Sequence, residues 1–272
     1  MQKTVINNSD FKQTFKKIKV VLLDLDGTVY LGDNPIDGAK QALEFFRAAG
    51  KKLVFLTNNS SKTDEEYVKK LGGMNLYRAE DDVYTSGDAT AEYLNKNFPG
   101  KRVYLLAPEK VKQSFINHGV TLCETGAEVA VLAYDTTLNF EKITRFDAFL
   151  KSGARYIATH PDAVCPAPEY SVPDVGSFIE MFRMSSGRTP DEIIGKPNTV
   201  MGDMVKLKYS AKSDEIMMVG DRMYTDIRFA LNNGFYSMAV LSGETTKEQY
   251  LSGDIKASFV FDSLGACIKS LV

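Results

Sequence analysis

The sequence predicts an α/β protein, a doubly wound Rossmann-like parallel sheet interrupted by an inserted α/β subdomain. Short β-rich apolar runs alternate with longer amphipathic stretches, the rhythm of βαβ units. The alternation is clean toward both chain ends, and the middle third repeats it with a rhythm of its own. Four polar motifs each follow directly on an apolar run, and the strand ends of an open parallel sheet share the edge where ligands bind.

The elements follow in order. Val20-Val21-Leu22-Leu23 is the first strand, and a helical pattern runs from Gly38 to Ala49. The strand at Lys52–Leu56 precedes Thr57-Asn58-Asn59 and a helix over Lys62–Leu71; Val83–Thr85 and a helix at Ala89–Asn97 close this block. The middle third gives strands at Arg102–Ala107, Val129–Tyr134 and Arg155–Thr159, with helices at Glu109–Asn117 and Phe140–Lys151. A loop is expected from Pro161 to Gly176, because four of the nine prolines fall there. The last third gives strands at Glu192–Ile194, Ile216–Val219, Tyr236–Val240 and Ser258–Phe261, and helices at Thr199–Tyr209 and Thr225–Asn232.

Composition narrows the classes. At 272 residues, 44% hydrophobic and 25% charged, the chain can bury a sizeable core and is neither disordered nor fibrous. Its 33 basic against 35 acidic residues leave a net charge of −2, no footprint for nucleic acid or an anionic membrane. Cys123, Cys165 and Cys267 are too few and scattered for a disulfide framework or zinc site, and are read as packing residues in a reducing compartment. No apolar run reaches the length of a membrane span, and the polar, lysine-bearing N-terminus lacks a signal-peptide pattern, so a cytoplasmic protein is expected. Nothing in composition reveals an interface, and a homo-oligomer stays open.

The four motifs are Asp24-Leu25-Asp26-Gly27-Thr28, Thr57-Asn58-Asn59-Ser60-Ser61, Gly195-Lys196-Pro197 and Gly220-Asp221-Arg222-Met223-Tyr224-Thr225-Asp226. Each alone has a plain reading: an Asp-Gly turn, a helix N-cap, a solvated lysine, a helix-capping aspartate. Their conjunction carries the signal. Asp24 and Asp26, at i and i+2, leave an extended strand on one side, and Gly27 lets the chain turn. Asp24, Asp26 and Asp221 concentrate negative charge that calls for a cation; all-oxygen ligands in small number favour Mg²⁺. A carboxylate beside such an ion can attack phosphorus in line, while Thr57, the Asn58 amide and Lys196 hold the phosphoryl oxygens. A carboxylate two residues on can protonate the leaving oxygen and then deprotonate water.

These residues resemble the motifs of the haloacid dehalogenase-like hydrolase superfamily: DLDGT the first, Thr57 the second, Lys196 the third and GDRMYTD the fourth. The strings DLDGTVYLG, LTNNSSK, YTSGDAT, IATHPD, GSFIE, SSGRTP, IGKPN, VGDRMYTDI and LSGETT are similar to the NagD-type, p-nitrophenyl phosphatase-like branch, over nearly the whole chain. The resemblance implies a hydrolase core from residues 1–99 and 187–272 and an inserted α/β cap domain at 100–186. It implies Asp24 as nucleophile and metal ligand, Asp26 as general acid/base with its backbone carbonyl on Mg²⁺, and Asp221 as the third metal ligand. Asp226 would act behind them, Thr57, Asn58 and Lys196 would bind the phosphoryl group with Asn59 nearby, and Tyr30–Ile36 would be a mobile flap. The cap loop, with His160 and Asp162, would tune specificity, although His160 can equally bond backbone.

The expectation is a Mg²⁺-dependent phosphatase acting through phospho-Asp24 on small phosphorylated metabolites such as nucleotide or sugar phosphates, and on p-nitrophenyl phosphate in vitro. A phosphotransferase or mutase would use the same residues. A non-turnover phospho-aspartate signalling module is the rival from another class. In receivers of that kind the acidic pair precedes the phosphorylated aspartate, whereas here Asp26 follows Asp24.

Overall fold

The computed structural model describes residues 8–166 and 170–272. The strands are β1 (Val20–Leu23), β2 (Tyr30–Leu31), β3 (Asn34–Pro35), β4 (Lys52–Thr57), β5 (Asp82–Thr85), β6 (Val103–Leu106), β7 (Val129–Leu132), β8 (Arg155–Ala158), β9 (Val164–Cys165), β10 (Val172–Pro173), β11 (Glu192–Ile193), β12 (Ile216–Gly220), β13 (Tyr236–Val240) and β14 (Phe259–Phe261). The α-helices are α1 (Phe11–Lys17), α2 (Ala39–Ala48), α3 (Asp64–Gly73), α4 (Ser86–Asn97), α5 (Glu109–Asn117), α6 (Phe140–Lys151), α7 (Val175–Ser186), α8 (Thr199–Lys208), α9 (Arg228–Asn233) and α10 (Lys247–Ser252).

The chain divides into two compact units: Met1–Leu56, Val68–Val83 and Val205–Val272 form the first, Thr57–Tyr67 and Tyr84–Met204 the second. The first is built on a six-stranded sheet of order β14-β13-β12-β1-β4-β5; the last residues of β4 and β5 are counted with the second unit. β1 runs parallel to both neighbours, with Leu23 opposite Val219 on one side and Phe55 on the other. Every residue of β1 and β12 is buried, as in a parallel sheet covered on both faces. Each such aliphatic side chain contributes about 1.5–3 kcal/mol, so the sheet centre can carry unfavourable polar groups at its end. Met217 and Met218 belong to this core.

The second unit has its own parallel sheet, β11-β8-β7-β6. Tyr104, Phe146, Tyr156 and Phe182 dominate the core against it, with the Phe146 and Phe182 rings 4.7 Å apart. β11 pairs with β8, so this sheet runs past the insertion limit expected at 186.

Three short helices and a longer one depart from the sequence pattern. α1, α10 and the 3₁₀ turn Gly265–Ser270 are short, and α7 begins where only a loop end is expected. Asp174 caps α7 by accepting the Val175 amide, and Val175, Ile179 and Phe182, at i, i+4 and i+7, bury one face. Within the proline-rich loop, β9 and β10 form an antiparallel pair. The cap of α3 is not TNNSS: Thr63 and Glu66 exchange side-chain bonds with each other's amides, a capping box.

Candidate active site

The four motifs form two polar constellations, one in each unit. In the first, Asp24 follows β1 and its amide donates to Val219 O at 2.9 Å, tying it to β12. Asp221 follows β12, and Asp226 lies on a π-helical turn, Met223–Ile227. One carboxylate oxygen from each of Asp24, Asp221 and Asp226 lies within 4.8 Å of the others. The structure thus groups Asp226 with Asp24 and Asp221, and the Asp26 carboxylate is not among the three.

Glycine makes this density feasible. Gly27 turns the chain at φ +83°, and a Cβ there would come within 2.4 Å of Asp221 Oδ2; at Gly243 the distance would be 2.0 Å. At Gly220 a Cβ would stand 2.3 Å from that of Asp226. Asp221 accepts from Thr28 Oγ1 at 3.3 Å and from the Glu244 amide at 2.7 Å. Asp226 accepts from the Arg222 amide at 3.1 Å, and Arg222 Nε pairs with Glu244 Oε2 at 3.1 Å.

Burial, and then the charge of Asp24, push the Asp221 carboxyl up to about 6. Burial also raises Asp26, offset in part by Lys70. Burial works against the Arg222 charge, yet Asp24, Asp226 and Glu244 hold its guanidinium above the ordinary value. Convergent carboxylates, all oxygen donors and reluctant to share one ionised state, fit a hard divalent cation. Asp26 starts the turn into the β2–β3 hairpin: Gly27 N donates to Tyr30 O at 2.8 Å, and Lys70 Nζ sits 4.1 Å from the Tyr30 ring centre.

In the second unit Asn58 is the hub. Its Oδ1 accepts the Lys196 amide and its Nδ2 donates to Lys196 O, both at 2.8 Å. Nδ2 also donates to the two Asp162 carboxylate oxygens at 3.2 Å, so a cap-loop residue joins an expected phosphate-binding one. Thr57 Oγ1 accepts the Asn59 amide at 3.1 Å, and Asn59 Oδ1 accepts from Ser61 N and Oγ, a local turn. Lys196, which composition alone would leave solvated, is 1% exposed. His160 is wholly buried and bonded at both ring nitrogens.

Thr28, Ser60 and Arg222 stand inside the motifs with no role legible in the sequence, and Ser86, Thr159, Asp174 and Glu244 lie outside the four motifs. The polar string LSGETT directly after the β13 run was the available signal for Gly243 and Glu244. The others are hydroxyls and a helix cap, which sequence alone assigns to local bonding.

Two family models match, haloacid dehalogenase-like hydrolase over residues 21–121 and HAD-hydrolase-like over residues 193–267. The chain is 32% identical over 259 residues to an acid sugar phosphatase of Staphylococcus aureus, covering 94% of this chain and 99% of that one. It superposes on a 4-nitrophenylphosphatase from Thermotoga maritima with TM-score 0.92 at 40% identity, over 95% and 99% of the two chains. A structure described as a nagD protein follows at TM-score 0.87 and 38% identity, over 94% and 98%. No helix among the described residues is long and apolar enough to cross a membrane. The chain belongs to the haloacid dehalogenase-like hydrolases, in their NagD-type, p-nitrophenyl phosphatase-like branch, and is an enzyme of the phosphatase class.

Proposed function

We propose that this chain is a Mg²⁺-dependent phosphatase of small phosphomonoesters, sugar or nucleotide phosphates among them, working through phospho-Asp24. The observation that carries the reading is the convergence of Asp24, Asp221 and Asp226 at the ends of β1 and β12. The relatives' names, acid sugar phosphatase and 4-nitrophenylphosphatase, support the substrate class.

In this reading an Asp24 carboxylate oxygen attacks phosphorus in line. The Asp24 O–P bond forms as the ester P–O bond breaks, and Asp26 gives its proton to the leaving oxygen. The raised Asp26 value suits an acid that must hold a proton before it is needed. Asp26 then takes a proton from water, which attacks phosphorus and frees phosphate and the Asp24 carboxylate. Thr57, the Asn58 amide and Lys196 hold the phosphoryl oxygens as charge develops, with Asn59 beside them. Asp24, Asp221 and the Asp26 carbonyl would hold Mg²⁺, with Asp226 supporting them. The ion, when bound, neutralises phosphoryl charge and relieves repulsion among the carboxylates. Asp162, through Asn58, gives the cap loop a route to substrate preference.

A panel of phosphorylated metabolites, compared by kcat/KM, tests the substrate class. Asp24→Asn should abolish turnover and leave the circular dichroism spectrum unchanged; activity near wild type would sink the nucleophile assignment. Phosphate released in equal amount to alcohol separates hydrolysis from transfer to a second acceptor.

A further inference from the structure

We infer that His160, clamped by Asp174, is a positioning residue for the Asn58–Lys196 pair; the inference rests on the phosphatase reading, in which that pair binds the phosphoryl group. The network lies entirely within the second unit. The Tyr134 amide donates to Ser60 Oγ at 2.9 Å, Ser60 Oγ meets Thr159 Oγ1 at 2.9 Å, and Thr159 Oγ1 meets His160 Nδ1 at 3.0 Å. On the far side of the ring, Nε2 meets Asp174 Oδ1 at 3.0 Å, and the same oxygen accepts the Val175 amide at 2.7 Å.

One assignment of protons satisfies the whole row. Ser60 donates to Thr159, Thr159 to Nδ1, and the imidazole carries its proton on Nε2, facing the carboxylate. In the reverse direction the Ser60 hydroxyl has no partner for its proton in the row. Ser60, Ser86, Thr159 and His160 are each 0% exposed, so a broken link here leaves a buried polar group unsatisfied.

The row ends against the pair by two routes. Gly195, just before Lys196, donates its amide to Thr159 O at 2.8 Å. A Cβ on Gly195 would lie 2.6 Å from Asn58 Oδ1 and 2.9 Å from His160 Cβ, so the three are packed without slack. By the second route, Ser86 Oγ donates to Asn58 O and lies 3.5 Å from His160 Nδ1. The ring therefore spans from the N-cap of α7 to the backbone on both sides of the Asn58–Lys196 bonds. It touches neither the Asn58 amide nitrogen nor the Lys196 ammonium in this network, and acts through Ser86, Thr159 and Gly195.

The test measures p-nitrophenyl phosphate kinetics and the inhibition constant of inorganic phosphate for His160→Ala, Asp174→Asn and Phe182→Leu. His160→Ala should raise both KM and the phosphate inhibition constant by about tenfold or more, because ligand-holding groups are misplaced. Asp174→Asn keeps an oxygen for Nε2–H and the Val175 amide and should stay within about twofold of wild type. Phe182→Leu opens a gap in the same unit's apolar core and should lower Tm while leaving the inhibition constant unchanged. A His160→Ala enzyme with lowered Tm and a wild-type phosphate inhibition constant overturns the positioning role and leaves the phosphatase reading standing. If His160→Ala does not fold, Asp174→Ala, which keeps the ring, is judged by the same two constants. A folded wild type that neither hydrolyses the ester nor binds phosphate by calorimetry brings down the phosphatase reading, and the positioning role with it.

Discussion

The side chain of Asn58 binds the main chain of Lys196 twice, once as acceptor and once as donor, across 138 positions of sequence. A side-chain amide presents an acceptor oxygen and a donor nitrogen side by side, so one residue can take both main-chain partners. The pairing fixes the main chain of Lys196 against Asn58. Asn58→Ala should therefore strand a buried N–H and C=O, at a cost of about 1–3 kcal/mol each. Tm should fall, and kcat/KM for p-nitrophenyl phosphate should fall by about 10²-fold. Asn58→Asp, which keeps only the acceptor, should recover part of the loss in neither measure; matching the wild type would show the donor half to be dispensable.

Gly243→Ala should disturb the acidic centre without replacing a charged residue. Its methyl would stand 2.0 Å from Asp221 Oδ2, so either the carboxylate or the 242–244 turn must shift. The amide of Glu244 that holds Asp221 moves with that turn. A titration of activity against Mg²⁺ should show a requirement raised by about tenfold or more, the order found when groups around metal ligands are altered. An unchanged titration would mean that Asp221 does not engage the ion.

Chelator should silence the wild type, and added Mg²⁺ should restore it. Asp221→Ala should need far more Mg²⁺ and turn over more slowly. Ca²⁺ should restore little, since it takes more ligands at longer distances and would misplace Asp24 for attack. Full activity in excess chelator, with metal removal checked by elemental analysis, would refute the metal-dependent route.

Asp88 offers a test of stability against pH that is independent of catalysis. It occupies the third position of α4, and its Oδ2 accepts the Thr85 amide at 2.9 Å and the Thr85 hydroxyl at 2.8 Å. Burial nonetheless raises its value above that of an ordinary aspartate, so the folded protein holds this proton more tightly than the unfolded chain. Its contribution is complete below the ordinary aspartate value and is lost as pH rises through the raised one. The Tm difference between wild type and Asp88→Asn should therefore turn against the wild type as pH rises across that interval. A difference that moves the other way would show the Thr85 bonds outweighing burial.

The first unit was legible because its strands are uniform: Val20–Leu23 and Ile216–Val219 are unbroken apolar runs that end in Asp or Gly-Asp, and few other arrangements bury them. With the other motifs beside them, Asp24 and Asp221 stand out at those strand ends, and Asp226 closes the fourth motif. That the Asp226 carboxylate meets those of Asp24 and Asp221 is not legible, because a π-helical turn carries it and sequence does not mark an inserted residue in a helix. α7 was hidden for a different reason. Its buried face is spaced as a helix, but Gly176 and the serines around it weaken the local propensity, and tertiary packing of Phe182 against Phe146 supplies the rest. The buried partners of His160 and Lys196 are not legible in the sequence, since charge and polarity do not reveal partners far along the chain.

The placement of β1 between β4 and β12 also bears on synthesis at the ribosome. The first of these partners is made soon after β1, the second about 200 residues later; at about 5–20 residues per second that interval lasts roughly 10–40 s. Throughout it, Val20–Leu23 presents one unpaired apolar edge, a template for pairing with another nascent chain. Asp24 emerges at the end of that edge long before Asp221 and Asp226, so the carboxylate trio cannot crowd together until the strand that shields β1 has arrived. Holdase chaperones that act on the growing chain should therefore find this segment early and release it only when residues 216–220 have docked.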